Sequence, residues 1–215
     1  MKTLLPLLLF AATASAQQLT AASLAKRVDD HYNHLQSLQA HYAERYKGMG
    51  LDRTETGTLT LRKPGRMRWA YDAPTGKLFL LDGHDAISYT PGDAEATRFP
   101  EKELDDLRSP LRFLLGHTEL AKELDHLSLA PASQSPSGEL YTLSGTPKGK
   151  SQRLQSLSLT VNATGQIQSM RVQEVDGSET TFTFSNMREN VPTTASDFTF
   201  TPPSGVTIVD GTAPL

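Results

Sequence analysis

Cysteine is absent from this chain of 215 residues. Its absence excludes disulfide bonds and thiolate metal sites. It also excludes a lipid-modified cysteine, so we expect the mature protein to be neither cross-linked nor tethered to a membrane.

Long apolar runs are absent beyond the amino terminus. Residues 1–16 combine Lys2, a short leucine-rich stretch and the motif Ala14-Ser15-Ala16, which together are typical of a secretory signal peptide. The apolar stretch is far shorter than the roughly 20 residues that span a bilayer, which disfavours a membrane anchor. We therefore predict cleavage after Ala16, export, and a single domain over residues 17–215.

The sequence also lacks a strong charge imbalance and the common catalytic motifs. Its formal net charge is −3, with no long run of one sign, whereas nucleic-acid binding favours a basic surface. We find no G-x-S-x-G, no H-E-x-x-H and no phosphate-binding loop. His31, His34 and His41 lack a matching carboxylate motif, so we interpret them as solvated surface histidines. These absences predict no enzyme activity, no cofactor, no metal site and no nucleic-acid partner.

The chain is instead rich in strands of alternating hydrophobicity. Leu38, Ala40 and Tyr42 alternate with more polar neighbours, as expected for a half-buried strand. Turn signals separate further strands near 57–62, 66–71, 77–81, 86–89, 126–131, 139–146, 153–161, 166–175, 179–188 and 197–201. Short turns between successive strands favour an antiparallel meander.

Helical spacing is confined to two regions. Residues 19–36 predict an amino-terminal helix with Leu24 on its apolar face, capped by Thr20 or Ser23. Residues 100–124 predict short central helices, whose apolar residues include Leu104, Leu107, Leu111 and Leu114. The predicted fold class is α+β, with about ten to eleven antiparallel strands and helices on one face of the sheet.

A large curved sheet has more apolar surface than two or three short helices cover. The remainder is either ordinary core or the lining of a ligand site. The candidate lining residues are Leu59, Leu61, Met67, Trp69, Tyr71, Leu78 and Leu80.

Four motifs in order resemble the LolA family of periplasmic carriers of outer-membrane lipoproteins. They are Leu61-Arg62-Lys63-Pro64-Gly65-Arg66-Met67-Arg68-Trp69, then Leu80-Leu81-Asp82-Gly83 with Tyr89-Thr90-Pro91, then Ser109-Pro110-Leu111, and finally residues 198–206 (FTFTPPSGV). The resemblance covers about residues 19 to 210. It implies an incomplete antiparallel β-barrel whose helices form a lid over bound acyl chains.

The resemblance also implies partners and site residues. The partners are acylated lipoproteins, a Lol-type inner-membrane ABC transporter and an outer-membrane lipoprotein receptor, with the carrier itself a periplasmic monomer. Lys63 matches a basic family residue that hydrogen-bonds to the lid backbone and holds the lid shut. Many members have arginine there, so the latch is either weaker here or shared with Arg62 or Arg66. Met67 matches a family aromatic residue near the mouth.

Two other functions fit the same sequence. One is a carrier or sensor of a different lipid or hydrophobic ligand on the same half-barrel. The other is a protein-interaction module that uses the edge or rim of the sheet.

Overall fold

One large open sheet with a helix against one face forms the protein. The structure is a computed structural model that describes residues 19–101, 119–136, 138–148 and 154–212. The predicted signal peptide and the residues Leu104, Leu107, Leu111 and Leu114 lie outside these ranges. Among the described residues, no helix is long and apolar enough to cross a membrane.

The described residues contain thirteen strands in a single sheet. They are β1 (Ser37–Gly48), β2 (Leu51–Arg62), β3 (Arg66–Tyr71), β4 (Leu78–Asp82), β5 (Asp85–Tyr89), β6 (Glu95–Pro100), β7 (Leu124–Leu129), β8 (Ser133–Ser135), β9 (Gly138–Pro147), β10 (Leu154–Asn162), β11 (Ile167–Glu174), β12 (Glu179–Glu189) and β13 (Thr207–Asp210). Two helices, α1 (Ala21–His34) and α2 (Leu120–Glu123), and the 3₁₀ turn Ala195–Phe198 complete the described elements.

The strands follow the order β13-β6-β5-β4-β3-β2-β1-β12-β11-β10-β9-β7, with β8 beside β9. All pairs are antiparallel except β13 with β6, which is parallel. The two ends of this order do not pair with each other within the described residues, so the sheet is open. This confirms the predicted class.

Two parts of the strand prediction differ from the structure. Residues 197–201 are not a strand: Thr194 and Asp197 form a capping box that starts a 3₁₀ turn instead. The short strands β6, β8 and β13 were not predicted. β13 pairs with β6 across more than a hundred residues of chain, and local alternation carries no signal of such a pairing.

The two faces of the sheet hold separate apolar clusters. On the face toward α1, which we call the inner face, apolar side chains from the helix and from most strands form one large core. On the opposite, outer face, strands β4 to β6 pack against the chain around Phe198, Phe200 and Val206. Helix α1 therefore covers part of the inner face, and the carboxyl-terminal segment covers the outer cluster.

Candidate functional site

Five of the predicted lining residues lie together on the inner face. Leu59 pairs across strands with Trp69, and Leu61 pairs with Met67. These four side chains are at most 2% exposed, and the half-buried Tyr71 packs against the same core. The prediction that these residues share one apolar face is confirmed. Their role as lining for acyl chains stays a prediction.

Leu78 and Leu80 lie on the other face, so their assignment to the same lining is wrong. The pairs Trp69 with Phe79 and Met67 with Leu81 turn Phe79 and Leu81 inward. Leu78 and Leu80 instead join the outer cluster. The four consecutive apolar residues of β4 show no alternation, so the sequence does not reveal which two face inward.

Helix α1 closes one end of the inner face. The hydroxyl oxygen of Thr20 accepts a hydrogen bond from the Ser23 amide, and the Ser23 hydroxyl oxygen accepts one from the Thr20 amide, which forms a capping box. Leu24, Ala25, Val28 and Tyr32 are buried against the sheet. Leu24 is completely buried, as predicted for a residue of this helix that faces the sheet, and its role in a lid stays a prediction.

Lys63 contacts this helix at its carboxyl end. Its Nζ donates to the carbonyl oxygen of Tyr32 at 2.5 Å, where a helix presents carbonyl groups and the negative end of its dipole. Burial lowers the pKa of the Lys63 ammonium. Arg66, by contrast, donates through Nε to the carbonyl oxygen of Asp82. The contact has the form that the family resemblance implies for the latch, and a gating role for it stays a prediction.

Three further polar contacts fasten α1, and the sequence did not reveal them. Glu189 Oε1 lies 2.9 Å from His31 Nε2, the Tyr32 hydroxyl accepts from the buried Ile167 amide at 3.1 Å, and the Asp29 carboxylate accepts from the Leu120 amide at 3.1 Å. His31 is therefore paired and only 17% exposed, which corrects its interpretation as a solvated residue.

A β-bulge explains why the pairing of His31 escaped prediction. The register of β1 with β12 shifts between Gln39 and His41, and Asn186 on β12 has a positive φ of 50°. A bulge reverses which side chains of the following residues face inward. Beyond it, Glu189 faces α1 rather than the outer side. The signal that a bulge leaves in sequence is too weak to have located it.

The other end of the inner face, near the β1–β2 turn and the β3–β4 turn, is charged. We call the four residues Glu44, Arg53, Glu55 and Lys77 the charged rim. Glu44 and Glu55 are directly opposite on β1 and β2. Lys77 forms an ion pair with Glu55, and its Nζ lies 4.1 Å from the centre of the Tyr71 ring. Burial first, and then the charge of Glu55, raise the pKa of the Glu44 carboxyl.

The inner face therefore changes character along the strands. The end near Lys63 is apolar and covered by α1. In the middle, the Trp69 ring contacts the rings of Tyr42 and Phe182. The far end is the charged rim. Within the described ranges, no group of three histidine, aspartate or glutamate residues is arranged to hold a metal ion.

Comparison with known proteins identifies the family. The family model described as outer membrane lipoprotein carrier protein LolA matches residues 33–201. The chain belongs to the LolA family. A relative from Chromobacterium violaceum named outer-membrane lipoprotein carrier protein is 26% identical over 98% of this chain and 100% of its own. One of the same name from Photobacterium profundum is 30% identical over 72% of each chain.

A solved structure supports the fold of this LolA-family chain. An uncharacterized conserved protein from Thermus thermophilus matches 89% of this chain and 99% of its own, with a TM-score of 0.59 at 12% identity. Such low identity shows the shared fold and nothing further.

Proposed function

We propose that the protein carries lipoproteins by binding their acyl chains on the inner face beneath α1. Family membership supports the cargo class. The observation that carries the proposal is that α1 and the sheet together build the inner core, with Leu24 and Leu59 both fully buried in it. We expect acyl chains to replace the buried apolar side chains of α1, a helix that a few polar contacts also hold against the sheet.

The energetics favour such a replaceable cover. Each buried methylene group is worth about 0.8 kcal/mol, so one sixteen-carbon chain would contribute on the order of 12 kcal/mol. Several chains bound to a permanently open face would exceed known non-covalent affinities, and cargo would never be released. A cover that must be displaced lowers the net affinity by the free energy of opening.

We further propose the route of transport. The carrier works in the periplasm after removal of residues 1–16, receives cargo from a Lol-type inner-membrane ABC transporter and passes it to an outer-membrane lipoprotein receptor. The family name supports delivery to the outer membrane. The protein acts by binding and release rather than by catalysis.

A photo-crosslinking experiment tests the binding site directly. A triacylated lipopeptide with a diazirine on one acyl chain is incubated with the purified protein, irradiated, and the labelled residues are mapped by mass spectrometry. We expect labels on Leu59, Leu61 and Met67. The unacylated peptide is the control and should leave the protein unlabelled. Labels confined to Leu80 and Ile87 of the outer cluster, or no complex at all, would contradict the proposal.

A further inference from the structure

Two buried hydrogen-bond donors on the inner face have no acceptor. Among the described residues, the hydroxyl of Tyr42 and the indole Nε1 of Trp69 are the buried side-chain polar atoms without a partner. Each residue is 2% exposed, and their rings meet edge to face with centroids 4.4 Å apart. Buried donors are almost always hydrogen-bonded in native proteins, so two neighbouring exceptions point to a missing acceptor.

A glycine gives Tyr42 its position. Gly57 on β2 is paired directly with Tyr42 on β1. A Cβ atom at this glycine would lie 2.7 Å from the Tyr42 hydroxyl oxygen and 2.1 Å from the carbonyl oxygen of Ala70. Any larger residue at position 57 would displace the hydroxyl, so glycine at this position is what lets the Tyr42 hydroxyl lie against β2.

The two donors lie at a boundary on the inner face. Toward Lys63, Trp69 pairs with Leu59, and the next inward-facing pair is Leu61 with Met67. Toward the β1–β2 turn, they continue into the charged rim, where Glu44 faces Glu55. An acylated molecule has the same order: hydrocarbon, then the carbonyl groups that attach the acyl chains, then a polar head.

Charge decides which acceptor fits. Indole Nε1 only donates, so a ligand group here must accept. A phosphate would accept, but Glu44 and Glu55 would repel it, and the two cations of the charged rim, Arg53 and Lys77, are already opposed by these two carboxylates. A neutral ester or amide carbonyl accepts hydrogen bonds without this repulsion.

We propose that Tyr42 and Trp69 form a subsite for the carbonyl oxygens that link acyl chains to the cargo. The inference rests on the proposed function and adds the chemical group that positions the cargo along the inner face. Acyl chains then extend toward α1, and the polar part of the cargo lies at the charged rim.

A comparison of ester-linked and ether-linked ligands tests the subsite. Trp69 is the only tryptophan of the chain, so its indole N–H gives a single resolved ¹⁵N–¹H signal. Both are diacylated lipopeptides with a free α-amino group and identical chains and peptide, and only the ester form has carbonyl oxygens where the chains are attached. We expect the ester form to move the indole proton signal downfield and the ether form to move it much less.

Affinities of matched variants complete the test. Tyr42→Phe removes only the hydroxyl and should weaken binding of the ester ligand by about 3- to 10-fold, the usual range for one hydrogen bond, without changing binding of the ether ligand. Tyr89→Phe, on the outer face, is the control and should change neither affinity.

The possible outcomes test the subsite and the carrier function separately. If ester and ether forms bind equally and Tyr42→Phe affects both or neither, the donors serve a trapped water or packing alone; the subsite is then wrong while the carrier function stands. If neither lipopeptide binds the unmodified protein, both proposals are wrong.

Discussion

Single side chains on the inner face combine apolar packing with a small number of polar contacts. Lys63 directly follows β2, and its ammonium group donates a hydrogen bond to a carbonyl oxygen of α1. One residue thus connects the sheet to the helix. Lysine donates from a single ammonium group, whereas arginine has a planar guanidinium group that can donate two hydrogen bonds side by side. We expect such contacts to affect how readily α1 separates from the sheet.

Replacing Lys63 by methionine should weaken the attachment of α1 to the sheet without creating a cavity in the core. Methionine keeps much of the apolar stem but cannot donate to Tyr32, and a charge-assisted bond at a partly exposed site is worth about 1 kcal/mol. We expect hydrogen exchange of α1 amides to accelerate about fivefold. Lys63→Arg retains a donor and should stay close to the original protein. Equal exchange in all three proteins would show that Lys63 does not hold the helix.

Replacing Glu44 by glutamine should stabilise the protein at neutral pH. Because the pKa of Glu44 is raised in the folded protein, the folded state holds its proton more tightly than the unfolded chain does. The ionised carboxylate therefore costs stability at neutral pH, and this cost vanishes as pH falls below the unfolded pKa. We expect a rise in Tm of about 1 to 3 °C at pH 7 that shrinks toward pH 4.

An exposed glutamate provides the comparison for this variant. Glu95 lies exposed on β6, and Glu95→Gln should change Tm little at either pH. A gain for Glu44→Gln of the same size at pH 4 and at pH 7 would mean that the carboxylate charge is not the cause.

Among the secondary-structure elements, α1 packs closely against the turn between β10 and β11. Gly165 in this turn has a φ of +91°, and a Cβ atom there would lie 2.5 Å from the carbonyl oxygen of Arg27 on α1. Arg27 also donates to the carbonyl oxygen of Ala163. The turn and the helix are thus packed backbone against backbone.

The variant Gly165→Ala should therefore release α1 from the sheet. Gly177, in the turn between β11 and β12, has a similar φ of +86° with nothing near its Cβ position. Both alanine variants carry the cost of a positive φ, about 1 kcal/mol. Only Gly165→Ala should further accelerate hydrogen exchange across α1. The idea of a close turn–helix contact is wrong if Gly177→Ala accelerates α1 exchange equally.

The elements also show how far sequence patterns reach. Strict alternation in β2 and β3 placed Leu59, Leu61, Met67 and Trp69 correctly, since a side chain's face follows directly from period two. Leu78 and Leu80 were misplaced because β4 is apolar on both faces. The pairing of His31 with Glu189 depends on a bulge, and the unpartnered hydroxyl of Tyr42 depends on a cross-strand neighbour. Neither the pairing nor the unpartnered hydroxyl can be predicted from residues that are neighbours in the sequence.

In the whole molecule, we expect the outer cluster to be a permanent core and the inner core to be one that acyl chains can replace. The outer cluster is closed by the chain's own carboxyl-terminal segment around Phe198 and Phe200. The inner core is closed by α1, which is fastened by Lys63, His31 and Tyr32. Loading with acyl chains should therefore change one face and leave the other intact.

Hydrogen exchange with and without a bound triacylated lipopeptide distinguishes the two faces. We expect faster exchange of α1 amides over residues 21–34 in the loaded protein, and unchanged exchange in β5 and β6 beneath the outer cluster. Unchanged or slower exchange of α1 in the loaded protein would mean that acyl chains do not replace this helix.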